Sequence, residues 1–400
     1  MANCYIGFAV LLCFVLFGPV REGLAKPINN SYLPSPGVIL VAAIVEGQRA
    51  SLLLDTGSER SWLDAKFAAK LELYSTGIES IRLPYATREV DSIRVGDLGL
   101  DSVHIRDLEM FSGDLSSTSL AVGVPVDGIL GCDVLRRFIV RIDLSSGSAQ
   151  FVTNSSAPPD EVSVRLHKVE NLYFVPLSVQ GTSVNLLLDT GTNASSVSSH
   201  VWSNITTHWR PQSMVDGVRS AGGAGSAKFV LIPRIDIGSV TAKNVPLRVQ
   251  PQTPDGLFAD TDFDGLLGTD VLGQFIVTLD LADDKMYLRH NARAHMDLDH
   301  FSTIGIQFAK NGEGSFTIMA VWNPSPATVA GLKIGDRILS VNKMDVRSMS
   351  LDDFSRRIHG RPGSAVHFIV DSNGYQHDAS MAISCLLCPT NGIALRRARP

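Results

Sequence analysis

Cysteine is scarce. Five in 400 residues is too few for a fold built on disulfides. Basic charge is not in excess either: 35 Lys and Arg stand against 40 Asp and Glu, a formal net charge of −5. That balance gives no reason to expect nucleic acid or an anionic membrane surface as a partner. The one basic cluster, Arg396, Arg397 and Arg399, sits in the tail and reads as a solvated terminus. Metal-ligand patterns are wanting. His290, His295 and His300 are evenly spaced, but a five-residue interval suits neither a helix face nor a strand face, so no metal or other cofactor is expected. Asn29, Asn154, Asn193 and Asn204 match N-x-Ser/Thr and read as chance matches.

The long apolar run is Ile6 to Phe17, ended by Gly18-Pro19. It is short for a bilayer span and the right length for a signal-peptide core. Gly23 and Ala25 follow with the spacing of a cleavage site, so residues 1–25 are read as a signal peptide and the protein as exported, periplasmic or secreted. No Lys or Arg precedes the run, so a membrane anchor at the N-terminus is the alternative. Cys13 does not read as a lipidation site, because Leu12 before it is too large. Export removes Cys4 and Cys13 and leaves three cysteines. Cys385 and Cys388 form C-x-x-C after the last expected strand and read as a local disulfide. Cys132 reads as a small, semi-buried side chain.

What the chain has in plenty is repetition. Leu-Leu-Leu-Asp-Thr-Gly occurs twice, ending in Asp55-Thr56-Gly57 and in Asp189-Thr190-Gly191. Each copy is followed at nearly the same distance by a second block, DGILGCDVLRRFIVRIDL from Asp127 and DGLLGTDVLGQFIVTLDL from Asp264. An internal duplication can build a site where its two copies meet. The composition, 44% hydrophobic and 19% charged, is that of a globular chain. Short apolar runs and turn residues alternate as in a β domain. VILVAAIVEGQRASLLLDTG reads as strand, turn at Glu46-Gly47 and strand. YFVPLSVQGTSVNLLLDTG repeats it with the turn at Gln180-Gly181. Two further strands recur in SIRVGDLGLDSVHIRDLEM and PRIDIGSVTAKNVPLRVQ. Asp133 and Asp270 open a short helix in each closing block and read as N-caps.

Three Leu residues before each Asp put a carboxylate at the end of a buried strand, which is costly unless it is hydrogen-bonded or shares a proton. Gly57 and Gly191 permit the tight turn and leave N–H groups facing the carboxylate. Thr56 and Thr190 can bond across a two-fold axis. Ser58 and Thr192 place a hydroxyl beside each Asp, where they would bond the charged form and lower its pKa. Ile129-Leu130-Gly131 and Leu266-Leu267-Gly268 can thread behind the loops, with Gly where a side chain would clash.

These doubled motifs resemble the aspartic peptidases. The half-length units are similar to the retropepsin-like branch fused in tandem, over roughly residues 33–292. The resemblance implies a mainly β fold: two retropepsin-like β-barrel halves forming a pseudo-twofold aspartic peptidase unit. It implies a catalytic pair, Asp55 and Asp189, sharing one proton and activating a water on a polypeptide substrate. With lowered pKa values, this predicts an acidic optimum. A lid is also implied. Its candidates are the tip at Gly222, Gly223 and Gly225 and, in the shorter first half, Tyr85.

Residues 296–384 resemble a PDZ domain of α+β type. The resemblance rests on Ile304-Gly305-Ile306-Gln307-Phe308, Ser325-Pro326-Ala327, Ala330-Gly331-Leu332 and Gly335-Asp336-Arg337-Ile338. It implies that N–H groups around Ile304, Gly305 and Ile306 receive a peptide C-terminus, with a helix from Leu351 to Ile358 as the far wall. The expected order is signal peptide 1–25, linker 26–36, peptidase half 37–153, peptidase half 160–292, PDZ domain 296–384 and tail 385–400. The competing readings are a non-catalytic peptide-binding or scaffold protein that keeps the fold, and an enzyme confined to one partner or to itself.

Overall fold

The computed structural model describes residues 37–83, 86–100, 103–152, 160–219, 226–294, 298–310 and 314–388. The signal-peptide, linker and basic-tail expectations lie outside them. So do His295, Tyr85, Gly222, Gly223 and Gly225. Among the described residues no helix is long and apolar enough to cross a membrane.

Each half opens on a tight hairpin. Leu40–Val45 pairs with Gln48–Leu54 through Glu46 and Gly47, at φ 48° and 78°. Leu172–Val179 pairs with Thr182–Leu188 through Gln180 and Gly181, at φ 49° and 87°. Two successive positive φ values match the twist of the flanking strands, which is why Gly holds the second position in both. The hairpin's second strand leads to the Asp. Leu52 and Leu54 turn into the main core, and Leu53 points to the other side, as a period of two requires.

In the first half the strand order is Leu40–Val45, Gln48–Leu54, Gly128–Leu130, Trp62–Asp64, Val103–Gly113, Thr87–Leu100. Ile44 pairs with Gly99 and Val45 with Leu98, closing six strands into a barrel. The second half repeats this through Leu172–Val179, Thr182–Leu188, Gly265–Leu267, Ser196–Ser198, Val240–Gln250 and Ser226–Ile237. It closes by pairing Ser178 with Asp236 and Val179 with Ile235. Among the described residues Ser75–Arg82 lies outside the ring in the first half, and His167–Val169 and Met214–Arg219 lie outside it in the second.

A five-stranded sheet joins the halves: Val162–Arg165, Lys285–His290, Phe275–Asp280, Ile139–Asp143 and Ser148–Val152. Its central pair takes one strand from each copy. Buried Glu161 accepts from Arg141 at 2.8 Å and from the Thr278 hydroxyl at 2.9 Å, so this buried charge is paired. Val140, Ile142, Val277 and Leu279 continue one apolar cluster that reaches both barrels. At about 1.5–3 kcal/mol for each buried Val, Leu or Ile, this shared core holds the halves as one body.

The third region is a sheet ordered Ile306–Lys310, Phe316–Val321, Arg337–Val341, Ala365–Ser372, Tyr375–Ala382. The helix Leu351–Ile358 covers it, capped by Ser350, whose hydroxyl accepts the Asp353 N–H. Phe354 stacks on Phe316 at 4.2 Å. The strand expected from Ile304 begins two residues later. Gly305 takes φ +86°, outside the strand region, and Ile304 lies between this strand and the short strand Ser302–Thr303.

Cys385 and Cys388 are disulfide-bonded. Residues 385–388, assigned from sequence to the tail, belong to the fold: Ser302–Thr303 pairs with Ser384–Cys385, and Leu387 is buried. Leu387 lies in one cluster with Phe301, Trp322, Val215 and Phe229, the last two from the second barrel. Asp216 and Asn323 exchange main-chain bonds of 2.8 and 2.7 Å. The third domain is thereby fixed to the outer strand of the second barrel.

Candidate active site

Asp55 and Asp189 leave their strands at matching points. The Asp55 N–H donates to the Leu130 carbonyl at 3.1 Å and the Asp189 N–H to that of Leu267 at 3.0 Å. Each closing strand therefore runs directly behind an Asp loop. A Cβ on Gly131 would lie 2.6 Å from the Arg60 carbonyl carbon, which no real Cβ tolerates, so that glycine is required by space; one on Gly268 would lie 3.0 Å from the Thr192 carbonyl oxygen, a tight approach but not an excluded one.

The loops are clasped across the pseudo-twofold by their threonines. Thr56 Oγ1 donates to the Leu188 carbonyl at 2.8 Å and accepts the Thr190 N–H at 3.1 Å. Thr190 Oγ1 donates to the Leu54 carbonyl at 2.9 Å and accepts the Thr56 N–H at 3.0 Å. Each hydroxyl fills both roles and satisfies two buried main-chain groups. The clasp brings each glycine against the opposite acid. A Cβ on Gly57 would sit 2.6 Å from Asp189 Cγ, and one on Gly191 would sit 2.4 Å from Asp55 Cγ.

Both carboxyls are fully buried. Asp55 Oδ1 accepts the Gly57 N–H at 2.8 Å; Asp189 Oδ1 accepts those of Gly191 and Thr192 at 2.9 and 3.1 Å. Among the described residues neither Oδ2 has a donor. Ionised carboxylates only accept, so one proton shared by the pair supplies the donor that the site lacks.

Two expectations are corrected here. The Ser58 hydroxyl turns away from Asp55, donating to the Arg60 carbonyl at 2.7 Å and accepting Trp62 Nε1–H at 3.1 Å. The Thr192 hydroxyl accepts the Ala194 N–H, and its residue serves Asp189 through the main chain. Nor are the pKa values lowered. Burial pushes the Asp55 carboxyl up to about 7 against the bond from Gly57. Burial, then repulsion from Asp55, pushes Asp189 well above the carboxylate range.

Asp133 and Asp270 are not N-caps; Gly131 and Gly268 hold those positions. Asp133 Oδ1 accepts the Ser61 N–H at 2.9 Å and the Ser61 hydroxyl at 2.7 Å, and Ser61 Oγ accepts the Gly131 N–H at 3.0 Å. Asp270 and Ser195 repeat the arrangement with Gly268. Burial pushes both aspartates up to about 6. These two Ser–Asp braces tie each Asp loop to its closing strand. A serine six residues after each Asp was the available signal. Cys132 is fully buried rather than semi-buried, with its thiol donating to the Thr56 carbonyl at 3.2 Å.

Two apolar clusters flank the dyad. Leu53, Trp62, Phe111 and Ile129 lie beside the Asp55 strand, and Leu187, Leu257, Phe258 and Leu266 beside the Asp189 strand. Among the described residues no group of three or more His, Cys, Asp or Glu could hold a metal ion. His290 packs edge-on against Phe275.

In the third domain, Ile304 and Gly305 are already engaged. The Ile304 N–H donates to the Ile358 carbonyl at 3.2 Å and the Gly305 N–H to Thr303 Oγ1 at 3.3 Å. Ile306 faces Val321, while Trp322 N–H donates to the Gly305 carbonyl. That bond makes Ile306 and Val321 a non-hydrogen-bonded pair, so the main-chain groups of Ile306 point to the open sheet edge. The expected three-residue cradle narrows to Ile306.

Two closed barrels on one chain, each giving an Asp loop to a threonine-clasped pair, define a two-lobed fold with paired carboxyls at its centre. The aspartyl protease family model matches the chain twice, over residues 41–134 and 175–271, and the PDZ domain model matches residues 318–371. No curated protein matches the chain. The two halves belong to the aspartyl protease family, as retropepsin-like domains in tandem, and a PDZ domain follows them.

Proposed function

We propose that the protein is an exported aspartic endopeptidase whose PDZ domain receives the ends of polypeptides. The single observation that carries the catalytic reading is the pair of buried Oδ2 atoms, one on each clasped loop, without a donor among the described residues. A water held between such atoms loses a proton to the ionised carboxyl as its oxygen attacks the peptide carbonyl carbon. The protonated carboxyl gives its proton to the carbonyl oxygen. The gem-diol then collapses: one of its hydroxyls gives its proton to the ionised carboxyl, the C–N bond breaks, the nitrogen takes the proton of the other carboxyl, and the pair is left with one shared proton. Near-symmetry leaves the acid and base roles with the pair jointly. A preference for apolar side chains beside the scissile bond is what the family resemblance implies. The disulfide between Cys385 and Cys388 supports an oxidising compartment and hence export.

The Ile306 edge supports strand addition by a peptide end. The test combines the full chain with an unfolded polypeptide across pH 4 to 8, with and without a pepstatin-type transition-state analogue. Fragments suppressed by the analogue are expected. Peptide binding without any fragments would favour the non-catalytic scaffold.

A further inference from the structure

Each Ser–Asp brace has an arginine beside it, and the two halves supply that arginine from different places. The carbonyl of the brace serine accepts a strand N–H at 2.9 Å in both halves, Ser61 from Phe111 and Ser195 from Arg248. In register, Phe111 pairs with Trp62 and Arg248 with Ser196, each the residue after its brace serine. Phe111 and Arg248 therefore hold one position of the duplicated fold. Just before the brace serine stands Arg60 in the first half and Ala194 in the second. One half has a loop arginine and a strand phenylalanine; the other has a loop alanine and a strand arginine.

The guanidinium is seated on an aromatic ring both times. Arg60 lies over Phe111, 4.4 Å from the ring centroid, and Arg248 lies over Phe229 at 4.9 Å. Phe229 is the in-register neighbour of Arg248 on the adjoining strand. The ring quadrupole attracts a cation, so a guanidinium can be kept there away from water. Arg248 is buried; Arg60 is half-buried and paired with Glu79 at 2.7 Å. Side-chain bulk is not what the copies preserve, since Trp62 and Ser196 differ greatly at matched positions. What both keep is a ring-seated cation next to the brace.

The brace gives that cation a task. Asp133 accepts the N–H and hydroxyl of Ser61, and Asp270 those of Ser195; each serine oxygen then accepts the N–H of Gly131 or Gly268. An ionised carboxylate accepts such bonds more strongly than a neutral carboxyl does. Burial pushes both aspartates up. Bonds from Ser61 and Val134, then the Arg60 charge, hold Asp133 down; bonds from Ser195 and Val271, then the Arg248 charge, hold Asp270 down. The residues just before the two glycines, Leu130 and Leu267, carry the carbonyls that accept the Asp55 and Asp189 N–H groups.

We propose that Arg60 and Arg248 are positioning residues for the acid pair, each acting through its brace aspartate to hold the closing strand against Asp55 or Asp189. The second arginine also ties the Asp189 loop to the third domain, because its ring, Phe229, stacks on Trp322. The catalytic consequence rests on the peptidase reading; the bracing does not.

The experiment replaces each arginine in the full chain by Met, which keeps the bulk of the stem without the charge, and by Lys, which keeps the charge. It reads amide exchange at Gly131 and Gly268, and kcat and KM on an unfolded polypeptide. Arg60→Met should speed exchange at Gly131 about tenfold and leave Gly268 unchanged; Arg248→Met should do the reverse. In either variant kcat should fall about tenfold with KM unchanged, the mark of an arrangement needed in the transition state. The Lys variants should recover most of both losses. Beside Asp270→Asn, Arg248→Met should add little. Trp322→Ala should act at Gly268 alone. Equal effects of Met and Lys, a rise at both glycines from one substitution, or a full effect of Arg248→Met beside Asp270→Asn would overturn the proposal. Arg60 is half-buried, so its variants judge the first brace even if those at Arg248 do not fold. A chain that cuts nothing would defeat the peptidase reading, while exchange at the two glycines would still judge the arginines.

Discussion

Trp322 donates its main-chain N–H to the Gly305 carbonyl at 2.9 Å and stacks its indole on Phe229 of the second barrel at 6.3 Å. The next residue, Asn323, exchanges main-chain bonds with Asp216. One dipeptide thus links the turn before the Ile306 edge to the outer hairpin of the peptidase. Trp322→Ala should destabilise the chain by about 3–5 kcal/mol, the usual range for emptying a buried aromatic site. Amide exchange at Val215 and Asp216 should rise with it. Denaturant unfolding and exchange mass spectrometry check the two parts; unchanged exchange at Asp216 would show that the joint does not depend on the indole.

Thr56→Val removes the hydroxyl that serves two buried main-chain groups, the Leu188 carbonyl and the Thr190 N–H. Leaving both unpaired should cost about 2–5 kcal/mol. Thr190→Val should cost a similar amount through the Leu54 carbonyl and the Thr56 N–H. Because the two hydroxyls share one clasp, the double variant should lose less than the sum of the singles. Strict additivity in denaturant melts would argue that the threonines act independently.

Gly57→Ala would drive a methyl to within 2.6 Å of Asp189 Cγ. The Asp189 carboxyl has no room to retreat, since its Oδ1 is held by two N–H groups. Proteolysis should be lost even though both acids remain. Retained activity would mean that the carboxyls do not stand against the opposing glycines.

The pH dependence follows from burial. A buried aspartate with a raised folded pKa is protonated in the fold where the unfolded chain would be ionised. Its contribution to stability therefore falls as pH rises from the ordinary value of 3.8 towards about 7. Asp55→Asn, neutral at every pH, should melt higher than the parent at pH 8, with the gap closing by pH 4. Activity should likewise rise towards about pH 7, contrary to the acidic optimum implied by resemblance. Melting curves and rates over that range decide it; a rate maximum at pH 4 would show that the working dyad is hydrated.

The dyad was legible because its determinants are local and doubled: three leucines to a buried strand end, then Asp, Thr and Gly. The hairpin turns were legible for the same reason, since Glu46-Gly47 and Gln180-Gly181 need only their own φ values. The Ser–Asp braces were less so. Ser61 meets Asp133 across 72 residues, and an aspartate near a helix start looks like a cap when only its neighbours are considered. The direction of the dyad's pKa was missed because desolvation depends on enclosure by distant segments. The PDZ joint draws Val215, Phe229, Phe301, Trp322 and Leu387 from separate stretches of chain, and no periodicity connects them.

The most direct test of a jointly held proton is to replace each acid alone. The full chain, Asp55→Asn and Asp189→Asn are incubated with the same unfolded polypeptide at pH 7, and fragments are counted by mass, with circular dichroism showing that all three are folded. Cleavage by the parent and none by either variant is the predicted result, because neither carboxyl can act as both acid and base in one step. Undiminished cleavage by either variant would contradict it.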